Sequence, residues 1–165
     1  MGKLRRYVDY VVDLLNLDIT HDVNAIATFI VNAIYMFAKA DCVVLRRLTP
    51  EKKLAFMASS GAASEWQSKA NIPLKGGLAE KAFGMKKPLK ILDVTQEPLY
   101  KSPGLARKNN LRSLLVLPLI VGDELIGSLS VYVAQEKNID VLDHEFIPIF
   151  AKQAALILRL ALDRN

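Results

Sequence analysis

The longest β-type pattern in the chain is Leu114 to Val133, LLVLPLIVGDELIGSLSVYV, two apolar runs split by Val121-Gly122-Asp123-Glu124. Gly-Asp between two such runs is a two-residue hairpin signal. With Gly122-Asp123 as the loop, the register pairs Val121 with Glu124, Leu119 with Ile126, Leu117 with Ser128, Leu115 with Ser130 and Ser113 with Tyr132. Alternate side chains of a strand point to opposite faces. One face is therefore expected to carry Leu114, Val116, Pro118, Ile120, Leu125, Leu129, Val131 and Val133. The other carries Ser113, Leu115, Leu117, Leu119, Ile126, Ser128, Ser130 and Tyr132, apolar with hydroxyls at one end. A water-facing sheet surface would carry Lys, Glu and Thr. Both faces are thus expected to be covered, one by a dry layer and the other by something that tolerates hydroxyls.

Helical spacing dominates both ends of the chain. Leu4 to Leu17 places Leu4, Tyr7, Val8, Val11, Val12, Leu14 and Leu15 on a broad apolar face. Val23 to Ala40 predicts a second helix, capped by Thr20 or Asp22 and apolar on so many sides that it must be packed between other elements. A third, long helix carries Phe146, Ile149, Phe150, Gln153, Leu156, Ile157, Leu160 and Ala161 on one side. Between them, Asp41–Leu48 and Lys53–Ser59 read as a hairpin around Thr49-Pro-Glu-Lys. Gly61 to Ile72 reads as a polar connection, and Leu78–Phe83 as a short helix closed by Gly84. Pro88–Val94 reads as a strand, and Pro103 to Asn110 as a short helix with proline in its first turn. Helices at both ends with strands between them, and no regular alternation, predict an α+β fold with an antiparallel sheet. Terminal helices would cover the dry face, and the irregular 61–110 stretch would roof a small-molecule pocket on the other.

Composition narrows this further. At 165 residues the chain is expected to form a single domain over 1–165. Its hydrophobic content is 52%, yet no uncharged apolar run reaches membrane-spanning length, so membrane insertion is not expected. Asp9 and Asp13 interrupt the basic N-terminus, which excludes a signal peptide, and Gly2 lacks a myristoylation context. A single cysteine, Cys42, rules out an internal disulfide framework and fits the cytoplasm. The net charge of +5 is scattered in pairs such as Arg5-Arg6, Arg46-Arg47 and Lys86-Lys87, which read as solvated surface rather than a nucleic-acid footprint. What the basicity favours is an anionic ligand.

Several short motifs then occur in order: Ala40-Asp41-Cys42-Val43-Val44-Leu45, Pro73-Leu74-Lys75-Gly76-Gly77-Leu78-Ala79, and Pro88-Leu89-Lys90-Ile91-Leu92-Asp93-Val94. Leu111 to Leu119, Gly122 to Leu129 and Asp143-x-Glu145-Phe146 complete the series. In this order and spacing the chain resembles a GAF domain, a PAS-related regulatory module, over Val23 to Leu160. The resemblance implies a five- to six-stranded antiparallel sheet with a helical layer on one face and a lidded pocket on the other. It divides the chain into an N-terminal signalling or dimer helix (1–20), a core (21–140) and a C-terminal helix (141–165) that reaches Asn165 without a stop signal, as if cut from a longer one. It also implies a signal-transduction sensor that binds an unidentified small ligand. The terminal helices would form a homodimer and relay the signal to an output domain, such as a kinase or transcription regulator of a two-component system. The alternative is a dimerisation scaffold that binds nothing. The family's Asn-Lys cyclic-nucleotide signature is missing, and Cys42 is not where bilins attach. The family's methionine sulfoxide reductase branch needs several cysteines, so an enzyme is not expected and no catalytic residue or cofactor is assigned.

Ser113, Leu115, Ser128, Ser130 and Tyr132 are the expected pocket floor, because the register puts them on the non-helical side. A buried hydroxyl left without a partner costs about 1–3 kcal/mol, so protein, water or ligand must satisfy each. Trp66, Leu78, Phe83 and Tyr100, with Leu74, are the expected walls. Arg107 is the expected anion contact, from a helix that also carries Lys108 and Asn109 and follows Lys101. His21 and His144 stand alone beside Asp22 and Asp143 and read as capping residues, so no metal site is expected.

Overall fold

The apolar spacing at the two ends of the chain becomes helix, and the β-branched runs between them become one sheet. The computed structural model describes residues 2–20, 22–61 and 71–164. Helix α1 spans Gly2–Leu15 and helix α2 Val23–Ala38. The Asp22 carboxylate caps α2 by accepting from the Asn24 N–H at 3.0 Å. The helix ends where Lys39 turns left-handed.

Six strands follow: β1 (Cys42–Leu48), β2 (Lys53–Ser60), β3 (Asn71–Pro73), β4 (Leu89–Ile91), β5 (Leu111–Val121) and β6 (Glu124–Ala134). They form one sheet in the order β3-β2-β1-β6-β5-β4, with antiparallel neighbours throughout. The remaining helices are α3 (Leu78–Met85), α4 (Pro103–Lys108) and α5 (Phe146–Arg164). Strand β3 falls in the stretch expected to be connection. Only Asn71, Ile72 and Pro73 pair there, too few for an alternating pattern to show. Gly84 is not the cap of α3: the helix runs through it to Met85, and Lys86 takes the left-handed position, its N–H bonding the carbonyls of Ala82 and Phe83.

The expected register of the central hairpin is corrected. Gly122, at φ +63°, supplies the left-handed residue the tight loop requires, and Val121 pairs with Glu124 as expected. Ile120 then pairs with Leu125 but Leu119 with Gly127, so Ile126 is an extra residue in β6. Such a bulge moves every later pair by one position. Leu117 lies opposite Leu129, Leu115 opposite Val131 and Ser113 opposite Val133, while Ser130 faces Val116 and Tyr132 faces Leu114.

The two faces sort accordingly. Val43, Leu45, Leu115, Leu117, Leu119, Leu129, Val131 and Val133 pack under α1, α2 and α5 in one core. Rings hold these helices together: Tyr7 stacks on Phe146 at 4.4 Å, and Phe37 meets both Tyr7 and Phe150 edge-on. Burying a Phe such as Phe150 contributes about 1.5–3 kcal/mol. On the opposite face Cys42, Val44, Leu114, Val116 and Tyr132 meet Leu78, Ala82, Val94 and Ala106 from the short elements above them.

Candidate functional site

On β1, Cys42, Val44 and Arg46 alternate onto the face away from the terminal helices. Their cross-strand partners on β6 are Tyr132, Ser130 and Ser128 respectively. Directly opposed residues have Cβ atoms about 4.5–5.5 Å apart, so the Arg46 stem stands beside the Ser128 hydroxyl. Leu114 and Val116 of β5 continue this floor. Leu54, Ile72 and Leu74 wall one side, Leu78 and Ala79 of α3 another, and Leu99 through Ser102 bring the loop before α4 over the top. The cavity they line is partly open to solvent and has a volume of about 70 Å3.

Arg46 is the residue that sequence reasoning missed. It is only 5% exposed, whereas its neighbour Arg47 is exposed, so the pair is not a solvated surface feature. The signal was strand parity: in Cys42-Val43-Val44-Leu45-Arg46-Arg47, one arginine must share a face with Cys42 and Val44. Burial draws the Arg46 guanidinium below its ordinary value, partly offset by Tyr132, Tyr100 and Cys42. An arginine starts high enough to keep its charge regardless.

The Tyr100 and Tyr132 hydroxyls are 2.8 Å apart, with their rings edge to face. Burial pushes the Tyr100 phenol up to about 12, against the opposing effect of its hydrogen bond with Tyr132. Burial likewise raises Tyr132 well above the ordinary value. Both phenols are neutral near pH 7. Among the described lining residues there is no carboxylate and no histidine, so they assemble no acid–base pair that works near neutrality. They offer a buried positive charge, hydroxyls and an apolar wall, which suits binding an acceptor-rich ligand.

The expected site residues separate. Ser128, Ser130, Tyr132, Leu78 and Tyr100 line the cavity together, as does Leu74. Ser113 and Leu115 do not join them, because the bulge at Ile126 puts their partners, Val133 and Val131, on the helical face. Leu115 belongs to the helical core, and the Ser113 oxygen is buried with no hydrogen-bond partner. Phe83 borders a separate groove between the hairpin tip and the end of α5. Arg107 stands in the last turn of α4 and borders an outer cleft with Asp93, Thr95 and Arg112. Trp66 and His21 lie outside the described residues. The His144 Nε2 is 2.9 Å from the Ile139 carbonyl oxygen. Among the described residues no cluster of His, Cys, Asp and Glu is arranged to hold a metal ion, and no helix is long and apolar enough to cross a membrane.

A family model described as the GAF domain matches residues 20–159. No curated protein matches the chain. Among solved structures, the GAF domain of an Acinetobacter phosphoenolpyruvate-protein phosphotransferase superposes with a TM-score of 0.80 at 17% identity, covering 98% of this chain and 95% of its own. Residues 122 to 287 of a methyl-accepting chemotaxis protein give 0.72 at 24% identity, with 93% and 97% covered. Free methionine-R-sulfoxide reductase from Neisseria meningitidis, in complex with its substrate, gives 0.74 at 15% identity, with 98% and 90% covered. At these identities the likeness to the solved structures is one of fold.

Proposed function

Since the chain belongs to the GAF domain family, we propose that it is a sensor domain whose cavity over β1, β5 and β6 binds a small, acceptor-rich ligand. Homologues in this family are regulatory sensor domains. The observation that carries the reading is the cavity itself, which gathers Arg46, Ser128, Ser130, Tyr100 and Tyr132 against a wall of leucine and valine. The domain acts by binding rather than by chemistry. Its single cysteine cannot form the internal disulfide of a thiol reductase cycle, and it suits the cytoplasm.

The relay in this reading runs through the terminal helices. Arg159 of α5 pairs with Glu124 at the start of β6, so movement of the hairpin pulls on α5. Leu4, Val8, Val12 and Leu15 stand exposed on α1, and Ile149, Leu156 and Leu160 on α5. At about 100° per residue these form one stripe on each helix, and a second copy of the chain is the partner proposed for them. Residues 1–20 and 141–165 are thus the signalling and dimer elements around a 21–140 core, with an output domain beyond. Those stripes also favour the second reading, a dimerisation module with a vestigial pocket. A thermal-shift screen with small acids, nucleotides and haem, run beside light scattering, tests both. A ligand that raises the melting temperature supports the sensor. A dimer that no compound stabilises leaves only the scaffold.

A further inference from the structure

We propose that the cleft between the Lys86-Lys87-Pro88 turn and the start of α5 docks an extended acidic segment of a partner protein. Carboxylates of that segment meet Lys87 and Lys152, and its apolar side chains rest on Pro118, Ile120 and Pro148. The cleft shares no described lining residue with the cavity over β1, β5 and β6, so this surface is independent of the sensor reading.

A strand edge lies open here. Strand β4 ends the sheet on its side but pairs with β5 only at Leu114, Leu115 and Val116. Among the described residues β5 therefore runs on from Leu117 to Val121 with no strand on that side, and the cleft opens along this stretch. An unpaired edge is a template for an extended chain. Pro118 has no N–H to offer a ladder, which leaves side-chain contacts to hold the segment. Pro118, Ile120 and Pro148 are half-buried, so the cleft floor still exposes hydrocarbon.

Charge selects the segment. Lys86 and Lys87 follow α3 and Lys152 stands on α5, yet all three line the cleft, with Asp123 as the one acid among its described lining residues. Lys86 is already engaged, 3.9 Å from the Asp123 carboxylate and 5.6 Å from the centre of the Phe83 ring. Lys87 and Lys152 are exposed and have no acidic partner among the described residues. Two ammonium groups thus flank an apolar floor, a pattern that glutamates or aspartates around a leucine complement. The described lining holds no arginine and no aromatic ring, whereas nucleic acid is gripped by guanidinium forks and stacked bases. Three recessed lysines also fall short of the roughly four to eight basic residues that draw a surface to anionic lipid. Pro148 and Lys152 lie about 60–100° round α5 from the Ile149, Leu156 and Leu160 stripe, so the cleft stands beside the face proposed for a second copy.

Calorimetric titration of the full chain with a short peptide in which glutamates flank a pair of leucines tests this. Two relatives serve as controls, one with glutamine for glutamate and one with serine for leucine. The first peptide is expected to bind weakly, yet at least fivefold tighter than either relative, and to lose affinity at high salt as exposed ion pairs do. Lys87→Glu and Lys152→Glu are each expected to weaken it about fivefold, and together at least tenfold. Lys39→Glu makes the same change in net charge at the end of α2 and is expected to leave binding unchanged. Far-UV circular dichroism checks that each variant is folded. Equal binding of either relative, unchanged affinity in the Lys87 and Lys152 variants, or an equal loss in Lys39→Glu overturns the docking surface. Phosphatidylserine vesicles or duplex DNA binding more tightly than the peptide, with the same loss in Lys87→Glu and Lys152→Glu, overturns it in favour of lipid or nucleic acid. Binding of no probe overturns it outright. None of these results touches the sensor reading, which the thermal-shift screen tests separately.

Discussion

The backbone of Gly127 lies against the carbonyl oxygen of Arg46: a Cβ at residue 127 would stand 2.2 Å from it and 3.2 Å from the Arg47 Cα. Both obstacles are backbone, so neither can rotate aside. The same glycine forms the bulge with Ile126 that sets which side chains reach the cavity. Gly127→Ala is expected to force β1 and β6 apart and to cost about 1–3 kcal/mol, the range of overpacking in a well-filled interior. Urea unfolding measures the loss, and an unchanged midpoint would sink the claim that the strands approach this closely.

The hydroxyl pair of Tyr100 and Tyr132 gives an alkaline signature. Tyr100 titrates near 10 when unfolded and is pushed up to about 12 when folded. A raised phenol pKa means the unfolded chain loses its proton first, so the stabilisation is complete below pH 10 and is lost as pH rises to about 12. Tyr100→Phe is expected to cost about 1 kcal/mol at pH 8, the worth of a hydrogen bond, and to fall less steeply than the parent between pH 10 and 12. Melting curves of both proteins at pH 8 and pH 11 check the difference.

Asp143 joins the two terminal helices. Its Oδ1 accepts from the N–H groups of Glu145 and Phe146, at 3.2 and 3.1 Å, capping α5, while Lys3 of α1 reaches its Oδ2 at 2.9 Å. Burial alone would raise this carboxyl. The hydrogen bond from Lys3 and the backbone donors outweigh that effect and hold it below the usual value. Asp143→Ala is expected to cost about 1–2 kcal/mol at neutral pH, as for a lost helix cap, and to speed amide exchange in α1. The depressed pKa stabilises the fold above the unfolded value of 3.8, and that contribution is lost as pH falls through the lower folded value. The gap between parent and Asp143→Ala should therefore narrow below pH 4 in acid unfolding.

Leu156 and Leu160 are 50% and 42% exposed on α5. Charges there are expected to leave the core intact and to act on association only. In the dimer reading, Leu156→Glu with Leu160→Glu gives a monomer by light scattering, with the far-UV circular dichroism of the fold retained. A double variant that stays dimeric sends the interface elsewhere.

Periodicity and turn chemistry made most of the elements legible. The apolar stripes of α1, α2 and α5, the Gly122-Asp123 loop and the Asp22 cap are local signals, written in neighbouring residues. The ordered series of short motifs carried the fold, because each marks a boundary between such elements. Ser128, Ser130, Tyr132, Leu78 and Tyr100 could be brought to one site for the same reason: strand parity and a lid of short helices suffice to gather them.

The single extra residue at Ile126 was not legible, and the site's remaining residues turned on it. Gly127 within Glu124-Leu125-Ile126-Gly127-Ser128 signals a bulge or a close backbone approach but not where the extra residue falls, since apolar side chains suit both faces of a doubly covered sheet. Only the close packing of β6 on β1 and β5 decides that Ile126 and Gly127 together oppose Leu119. That slip sends Ser113 and Leu115 to the helical core. It leaves Ser128 beside Arg46, whose burial is a property of three strands in register and not of the arginine pair in the chain. The sequence by itself determined the elements, the layers and the family, because those depend on residues near one another. The tertiary structure alone decided which charge lies inside, because burial is set by the neighbours that other strands supply.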